Sequence, residues 1–243
     1  MVLELTETPD IFGLILKAQL ESAEPVYHAV ERDDGFIQIT NTQQYFTRIE
    51  EWSANEQAII RHAESPVLDI GVGAGRHALY LQDQGMDVIG LDTSENAIYV
   101  CKQRGLKRTV LGSACDLPSF KTSFSTFLLF FNNFGICGDP KQTVKMLQKL
   151  HWLGTPQAKI LISFRDVLGT NKTYHLTYHQ RNRNQGLPIG RIRLRFRYLG
   201  SLSAWFHLWL PTIQEFQDAV QQAQWKISED LVNEDQHHVL LTK

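Results

Sequence analysis

Between residues 66 and 165, short apolar segments alternate with amphipathic segments, and this alternation constrains the fold more than any other feature. Apolar segments typical of strands cover 67–70, 88–91, 109–111, 127–131 and 159–164. Amphipathic segments with helical periodicity begin at residues 76, 94 and 139. Strands that alternate with helices at this spacing favour a doubly wound, mostly parallel sheet. The predicted fold class is therefore α/β.

The alternation also predicts the domain organisation. We expect residues 1–64 to form an N-terminal helical lid segment and residues 65–243 to form the main domain. The pattern stops after residue 165, and we expect an insertion with antiparallel strands at about 167–211. A capping box then begins a helix at residue 212. Two final strands are predicted near 225–228 and 239–242.

Composition limits the class of protein. The chain has 243 residues, of which 43% are hydrophobic and 21% charged, so it can bury a sizeable core and is neither disordered nor collagen-like. It lacks an N-terminal export signal and an apolar run of the roughly 20 residues that span a bilayer. The spacing of Cys101, Cys115 and Cys137 suggests neither a disulfide framework nor a metal pair. We therefore expect a cytoplasmic protein without a membrane partner.

A glycine-rich segment joins the first predicted strand to the first predicted helix. It reads Asp69-Ile70-Gly71-Val72-Gly73-Ala74-Gly75-Arg76. A glycine loop that opens a helix brings backbone N–H groups close to a phosphate or an amino-acid carboxylate. Arg76 stands where the dinucleotide fingerprint GxGxxG needs a glycine, and the loop lacks the Gly-Lys-Ser/Thr of a nucleotide triphosphate site. Nicotinamide cofactors and nucleoside triphosphates therefore rank lower as ligands.

Three carboxylates follow three successive predicted strands. Asp69 ends the first strand, near the place where a ligand's ammonium group would lie. Asp92 ends the second strand, where a carboxylate can accept hydrogen bonds from ribose hydroxyls. Asp116 follows the third strand, where it can accept a hydrogen bond from the exocyclic amine of adenine. Because the carboxyl ends of parallel strands meet at one edge, these side chains are predicted to line one crevice.

The segments 67–75, 90–94 and 114–118, which read VLDIGVGAG, GLDTS and ACDLP, resemble the class I S-adenosylmethionine-dependent methyltransferase family, in particular its bacterial small-molecule members. The resemblance implies a seven-stranded sheet whose last strand is antiparallel. It also implies S-adenosyl-L-methionine as cofactor. The implied cofactor-binding residues are Tyr45, Asp69, Gly71, Gly73, Gly75, Asp92, Thr93, Ala114, Cys115, Asp116 and Asn132. Asn132 and Asn133 fall after the fourth strand, where the donor methyl group and the acceptor meet in this family.

Several of these residues have a structural alternative. Tyr45 can equally be a core aromatic residue, Cys115 can simply be small enough to fit, and Asp116 can be a turn residue. The catalytic residues are unknown from the sequence. The candidates by chemistry are His77, Asn132, Asn133, His175 and His179. His175 and His179 lie four residues apart without the glutamate and third ligand of a zinc site, so no metal is expected.

The predicted insertion is strongly basic. It contains seven of the 24 basic residues and none of the 26 acidic ones, although the net charge of the chain is −2. The segment 191–198 alternates arginine with apolar residues, so its four arginines share one face of a strand. We predict that an anionic substrate is bound by Tyr178, Arg191, Arg193 and Arg195. The alternatives are a solvated face, ion pairs within the chain or across a homodimer, and a nucleic acid, against which the negative net charge argues.

The expected function is methyl transfer to a small-molecule acceptor by direct in-line displacement. Holding the acceptor in line with the methyl group and excluding water removes much of the barrier, since a sulfonium is already activated. Two alternatives remain. One is an RNA methyltransferase that uses the basic strand at 191–197, and the other is a donor-binding protein without catalytic activity.

Overall fold

A computed structural model describes residues 6–7 and 9–243, and this part of the chain contains thirteen strands and seven α-helices. The strands are β1 (Thr6–Glu7), β2 (Tyr27–Arg32), β3 (Ile37–Asn41), β4 (Val67–Ile70), β5 (Val88–Asp92), β6 (Thr109–Leu111), β7 (Phe124–Leu129), β8 (Gly154–Arg165), β9 (Arg191–Tyr198), β10 (Ser201–Leu202), β11 (Phe206–Trp209), β12 (Lys226–Asn233) and β13 (Gln236–Thr242). The helices are α1 (Ile11–Glu21), α2 (Ala54–Ile60), α3 (Arg76–Asp83), α4 (Glu95–Gln103), α5 (Pro140–Leu153), α6 (Thr173–Asn184) and α7 (Ile213–Gln222). None of these helices is both long and apolar enough to cross a bilayer.

The main sheet has seven strands in the order β12-β13-β8-β7-β4-β5-β6. β4 pairs in parallel with β5 and β7, and the parallel pairing extends to β6 and β8. β13 is antiparallel to β8 and lies between it and β12. The predicted α/β class, the seven strands and the antiparallel last strand are confirmed.

Local signals in the sequence place the helices around this sheet. Every residue of β4 is buried, as expected for a strand covered on both faces. The Ser94 side chain accepts a hydrogen bond from the Ala97 N–H at the start of α4, and Thr212 with Glu215 forms the predicted capping box of α7. These hydrogen bonds satisfy N–H groups at the first turn of each helix.

A second sheet is separate from the main sheet, and it combines two distant parts of the chain. Its order is β1-β10-β9-β2-β3, with β11 also paired to β9. The hairpin β2–β3 comes from the N-terminal segment, whereas β9, β10 and β11 come from the insertion. We call this second sheet, together with α6, the cap. The predicted antiparallel insertion is therefore present.

The N-terminal segment is not wholly helical, which corrects one expectation. It contains α1 and α2, but also the hairpin β2–β3, whose β2 pairs with β9. α1 packs on α4 through a cluster in which Leu16 joins Ala74, Ala97 and Val100. Residues 1–5 and 8 of the predicted N-terminal domain lie outside the described residues, and the boundary at residues 64 and 65 stays a prediction.

Candidate functional site

The glycine loop between β4 and α3 forms the floor of the site. Gly71, Gly73 and Gly75 all have positive φ, at 71°, 53° and 80°, a region that side chains disfavour. The backbone N–H of Gly73 donates to Oδ2 of Asp92 at 2.9 Å, and Oδ1 of Asp92 accepts from the N–H of Ser94 at 3.0 Å. Asp92, at the end of β5, therefore holds the loop in place.

One buried and one partly buried carboxyl group lie beside this loop. Asp69 is 4% exposed, and burial, followed by the nearby charge of Asp92, raises its pKa to about 7. Burial also raises the pKa of Asp92. Within residues 6–7 and 9–243, neither carboxylate forms a salt bridge. Asp92 accepts from two backbone N–H groups, whereas Asp69 is buried without a counter-charge. Since a buried carboxylate is costly without a cation, this edge of the sheet suits a ligand with ammonium and hydroxyl groups.

Asn132 and Asn133 are placed at the end of β7, but their side chains bind the protein backbone. Nδ2 of Asn133 donates to the carbonyl oxygens of Ile70 and Gly71 at 2.8 and 3.2 Å. Oδ1 of Asn132 accepts from the N–H of Arg165 at 2.9 Å. Asn133 thus fixes the geometry of the glycine loop, whereas Asn132 binds the end of β8. The structure brings Asn133 to the predicted cofactor residues, and contact with an acceptor stays a prediction.

Aromatic side chains cover the glycine loop from the N-terminal side. The ring of Tyr45 lies 5.3 Å from that of Phe12 and 5.5 Å from that of Phe131, between ring centroids. Burial raises the pKa of the Tyr45 hydroxyl to about 12. Tyr45 is therefore both a packed aromatic residue, as one alternative held, and a residue at the edge of the site.

Arg104 was not predicted, yet it joins the aromatic cover to the glycine loop. Its Nη1 donates to the carbonyl oxygen of Ala74 at 2.6 Å, and its guanidinium lies 4.8 Å from the ring centroid of Phe46. Its Nη2 donates to the carbonyl oxygen of Phe46 at 3.4 Å. An arginine at the end of a helix carries no sequence signal that distinguishes this role from solvation.

His77 is buried in an ion-paired cluster. Its Nε2 lies 2.7 Å from Oε1 of Glu56, which also pairs with Arg76. Burial lowers the pKa of His77. For Glu56, burial alone would raise the pKa, but the hydrogen bonds from His77 and Arg76 together lower it to about 2. Nε of Arg76 also donates to Oγ1 of Thr47 at 2.7 Å. This cluster ties the N-terminal segment to α3. Because Nε2 of His77 is bonded to Glu56, this nitrogen is not free to contact a substrate.

The prediction that the cysteines do not pair is wrong for two of them. Cys115 and Cys137 form a disulfide, with Cα atoms 5.5 Å apart. Their separation of 22 residues gave no signal, because the fold brings the segment after β6 and the segment after β7 to the same edge of the sheet. Cys101 is free and buried. The predicted cytoplasmic location relied partly on unpaired cysteines, and it stays a prediction.

The remaining predicted cofactor residues, Ala114, Asp116 and Thr93, differ in their exposure to solvent. Ala114 is buried at the edge of the core. The side chain of Asp116 is 98% exposed and lies 3.9 Å from Nζ of Lys149. Thr93 follows Asp92 and is exposed. Their roles toward adenine and ribose stay predictions, and Asp116 is the one that the structure does not bring to the buried carboxylates.

The structure places Tyr178, His175 and His179 inside the cap. The Tyr178 hydroxyl donates to Oδ1 of Asp33 at 2.7 Å and accepts from the N–H of Arg193 at 3.2 Å. Nδ1 of His175 lies 2.9 Å from Nη1 of Arg32, and His179 is 4% exposed. Tyr178 and His175 thus hold α6 against the hairpin, and the predicted roles of all three side chains at a substrate stay predictions.

The arginines of β9 have different partners. Arg195 forms two hydrogen bonds with Glu31, at 2.9 and 3.0 Å, and Arg197 forms a third at 3.3 Å. Arg193 and Arg195 lie over the ring of Trp205, at 5.2 and 4.4 Å from its centroid. Ion pairing within the chain, one of the alternatives, therefore accounts for Arg195 and Arg197.

Comparison with known proteins gives the following matches. Residues 67–157 match a family model described as a methyltransferase domain. No curated protein matches the sequence.

Among solved structures, a SAM-dependent methyltransferase from Bacteroides fragilis in complex with S-adenosyl-L-homocysteine is 21% identical, covers 99% of each chain and has a TM-score of 0.81. The CcbJ methyltransferase from Streptomyces caelestis is 16% identical, with a TM-score of 0.63 over 81% of this chain and 96% of its own. A SAM-dependent methyltransferase from Methanosarcina mazei is 19% identical, with a TM-score of 0.61 over 73% of this chain and 91% of its own. At these identities the similarity establishes a shared fold.

Proposed function

We propose that the protein transfers a methyl group from S-adenosylmethionine to a small-molecule acceptor, because residues 67–157 match a methyltransferase-domain model and the chain shares its fold with a SAM-dependent methyltransferase. One observation carries the proposal. The carboxylate of Asp69 is buried and that of Asp92 is partly buried beside the glycine loop, at the ends of two adjacent parallel strands, without a salt bridge in the described part of the chain.

The residues of the site fit the donor. Asp69 lies where it would bind the ammonium group of the methionine part, and Asp92 where it would accept from the ribose hydroxyls while holding Gly73. Bound S-adenosylmethionine supplies a methyl group already activated by the sulfonium. The protein's own task is to hold the acceptor in line and to exclude water. Phe12 and Tyr45, which pack against a buried cluster that contains Ala74 of the loop, would help to exclude water.

A small-molecule acceptor agrees better with the charges of the cap than RNA does. Glu31 pairs with Arg195 and Arg197, and Asp33 pairs with Arg181 at 2.7 Å. Three of the seven basic residues of the insertion are thereby paired, and two of its seven positive charges are compensated, which weakens its attraction for a phosphate backbone. The arginines of β9 that remain unpaired suit a single anionic group on a metabolite. The protein requires no nucleic acid or membrane partner for this reaction.

Calorimetric titration with S-adenosylhomocysteine and with NADH tests the donor site. We expect S-adenosylhomocysteine to bind and NADH not to bind. Asp92→Asn should weaken the binding of S-adenosylhomocysteine more than tenfold, because the amide loses two acceptor positions and disturbs the Gly73 contact. Asp87→Asn is the matched control, since Asp87 pairs with Arg108 at the surface. NADH binding without S-adenosylhomocysteine binding would refute the proposed donor.

Catalysis and acceptor class need a separate measurement. Incubation with S-adenosylmethionine and a protein-free metabolite extract should produce S-adenosylhomocysteine, detected by mass spectrometry, and total RNA should produce none. Product with RNA alone would favour the RNA methyltransferase. Donor binding without product from either source would favour a non-catalytic donor-binding protein.

A further inference from the structure

The four arginines on one face of β9 differ in how the protein satisfies them. Arg195 and Arg197 share Glu31, and Arg193 is exposed to solvent and stacks near Trp205. Arg191 forms no salt bridge within residues 6–7 and 9–243, and its Nε is buried without a hydrogen-bond partner there. A guanidinium N–H removed from water and left without an acceptor is costly. Of the two arginines in this row without a salt bridge among the described residues, Arg191 is therefore the one with a buried N–H that lacks an acceptor.

Trp209, the residue paired with Arg191 in the sheet, also has a buried N–H group without an acceptor. The two residues are Cα partners in the antiparallel pair of β9 and β11, so their side chains leave the same face of the sheet. Trp209 is 1% exposed, and its Nε1 also has no hydrogen-bond partner among the described residues. The indole nitrogen of Trp225, in the same core, donates to the carbonyl oxygen of Leu147 at 3.0 Å. Two neighbouring N–H donors thus lack the acceptor that a comparable donor has.

The sequence of the insertion cannot supply this acceptor. Between Asp166 and Glu215 the chain has no acidic residue, and the hairpin carboxylates Glu31 and Asp33 are already paired elsewhere. An oxyanion from outside the chain is the group that fits two adjacent N–H donors and one positive charge.

The pair also lies next to the predicted site. The backbone of Trp209 packs so closely on the short 3-10 helix Asn133–Gly135 that a Cβ at Gly135 would lie 1.7 Å from the Trp209 carbonyl oxygen. Asn133, the first residue of that helix, donates to the carbonyl oxygen of Gly71 in the glycine loop. One turn of helix therefore separates this end of the cap from the loop that would hold the methyl donor.

We propose that Arg191 and Trp209 bind a carboxylate group of the methyl acceptor, with Nε–H of Arg191 and Nε1–H of Trp209 as the donors. This inference rests on the proposed function and names the substrate class as carboxylate-bearing small molecules. Binding at this end of the cap positions the acceptor over the glycine loop, and the carboxylate takes no part in the chemistry.

The test follows the tryptophan indole N–H signals by NMR in the full-length protein, loaded with S-adenosylhomocysteine. The chain has five tryptophans, and the signal missing in Trp209→Phe identifies Trp209. Sodium benzoate is the probe, benzamide is its uncharged counterpart of similar shape, and ionic strength is held constant. We expect benzoate to shift the Trp209 signal saturably and benzamide to leave it unchanged.

The variants separate a binding role from a structural one. Arg191→Gln should weaken benzoate binding roughly tenfold or more, as should Trp209→Phe when binding is followed by calorimetry. Arg197→Gln, which removes a charge already paired with Glu31, and Trp225→Phe should keep the affinity. No benzoate shift, an equal shift by benzamide, or unchanged affinity in Arg191→Gln would overturn the inference. Normal binding of S-adenosylhomocysteine in those samples would confine the failure to the anion site, whereas its absence in the wild type would remove the proposed function as well.

Discussion

Asp69 is a buried carboxyl group beside the glycine loop, at the place proposed for the ammonium group of the donor. Its carboxyl is 4% exposed, and its pKa is about 7 because of burial and of the charge of Asp92. The usual pKa of 3.8 applies in the unfolded chain. Because the folded protein holds this proton more tightly, the stability that Asp69 contributes is lost as the pH rises from about 4 through 7. A cationic ligand group would reverse that penalty.

The first prediction concerns pH. Since only the ionised carboxylate attracts an ammonium group, the affinity for S-adenosylhomocysteine should rise as the pH increases from 6 to 8. In Asp69→Asn the affinity should be lower and nearly independent of pH over this range. The same variant should be more stable than the wild type at pH 8 in the absence of ligand. Calorimetry and thermal unfolding at each pH measure both effects, and a pH-independent affinity in the wild type would contradict the assignment of Asp69.

The contact of Asn133 with the glycine loop could not be predicted from the type of this residue. Two adjacent amides after an apolar strand indicate a site, and this was predicted. The structure shows that Nδ2 of Asn133 donates to two carbonyl oxygens of the loop, and that a Cβ at Gly71 would lie 2.4 Å from that nitrogen. Gly71 is thus needed for close approach as well as for its positive φ. Such a mutual requirement between residues 62 positions apart depends on the fold and cannot be derived from either segment.

At the scale of elements, the main sheet could be predicted and the cap only partly. The strands β4 to β8 are apolar and the helices between them are amphipathic, so each local pattern agrees with the final structure. α6 was missed because it buries Tyr178, His179 and Asn182 rather than an apolar stripe. The pairing of β2 with β9 joins residues more than 160 positions apart, and local periodicity holds no information about it.

The second prediction concerns the disulfide between the segments that follow β6 and β7. Closing a loop of about 22 residues restricts the unfolded chain and stabilises the protein by about 3 kcal/mol in the chain-entropy account. Cys137→Ser should therefore lower the melting temperature by roughly 6–12 °C for a chain of this size. Dithiothreitol should produce the same decrease in the wild type. In the control variant with both Cys115 and Cys137 changed to Ser, the reductant should have no further effect; a melting temperature unaffected by either treatment would contradict the prediction.

At the scale of the whole molecule, the cap distributes charge between two distant parts of the chain. The insertion is basic throughout, and its counter-charges Glu31 and Asp33 come from the N-terminal hairpin. Hydrogen bonding by Arg195, followed by the charges of Arg195 and Arg197, keeps the pKa of Glu31 below its usual value despite partial burial. The net charge of −2 is therefore a sum over segments that neutralise one another only in the folded state.

The third prediction follows from this arrangement. Glu31→Gln releases Arg195 and Arg197 from their shared partner, so the cap should bind polyanions more strongly and the protein should elute from heparin at a higher salt concentration. Glu50→Gln removes the same charge from an exposed site without a salt bridge among the described residues, and it should leave the elution nearly unchanged. Glu31→Gln should also unfold at a lower temperature than Glu50→Gln, because two partly buried guanidinium groups lose their hydrogen bonds. Equal elution and equal stability of the two variants would mean that the hairpin does not neutralise the insertion in solution, and the argument against RNA as the acceptor would lose its support.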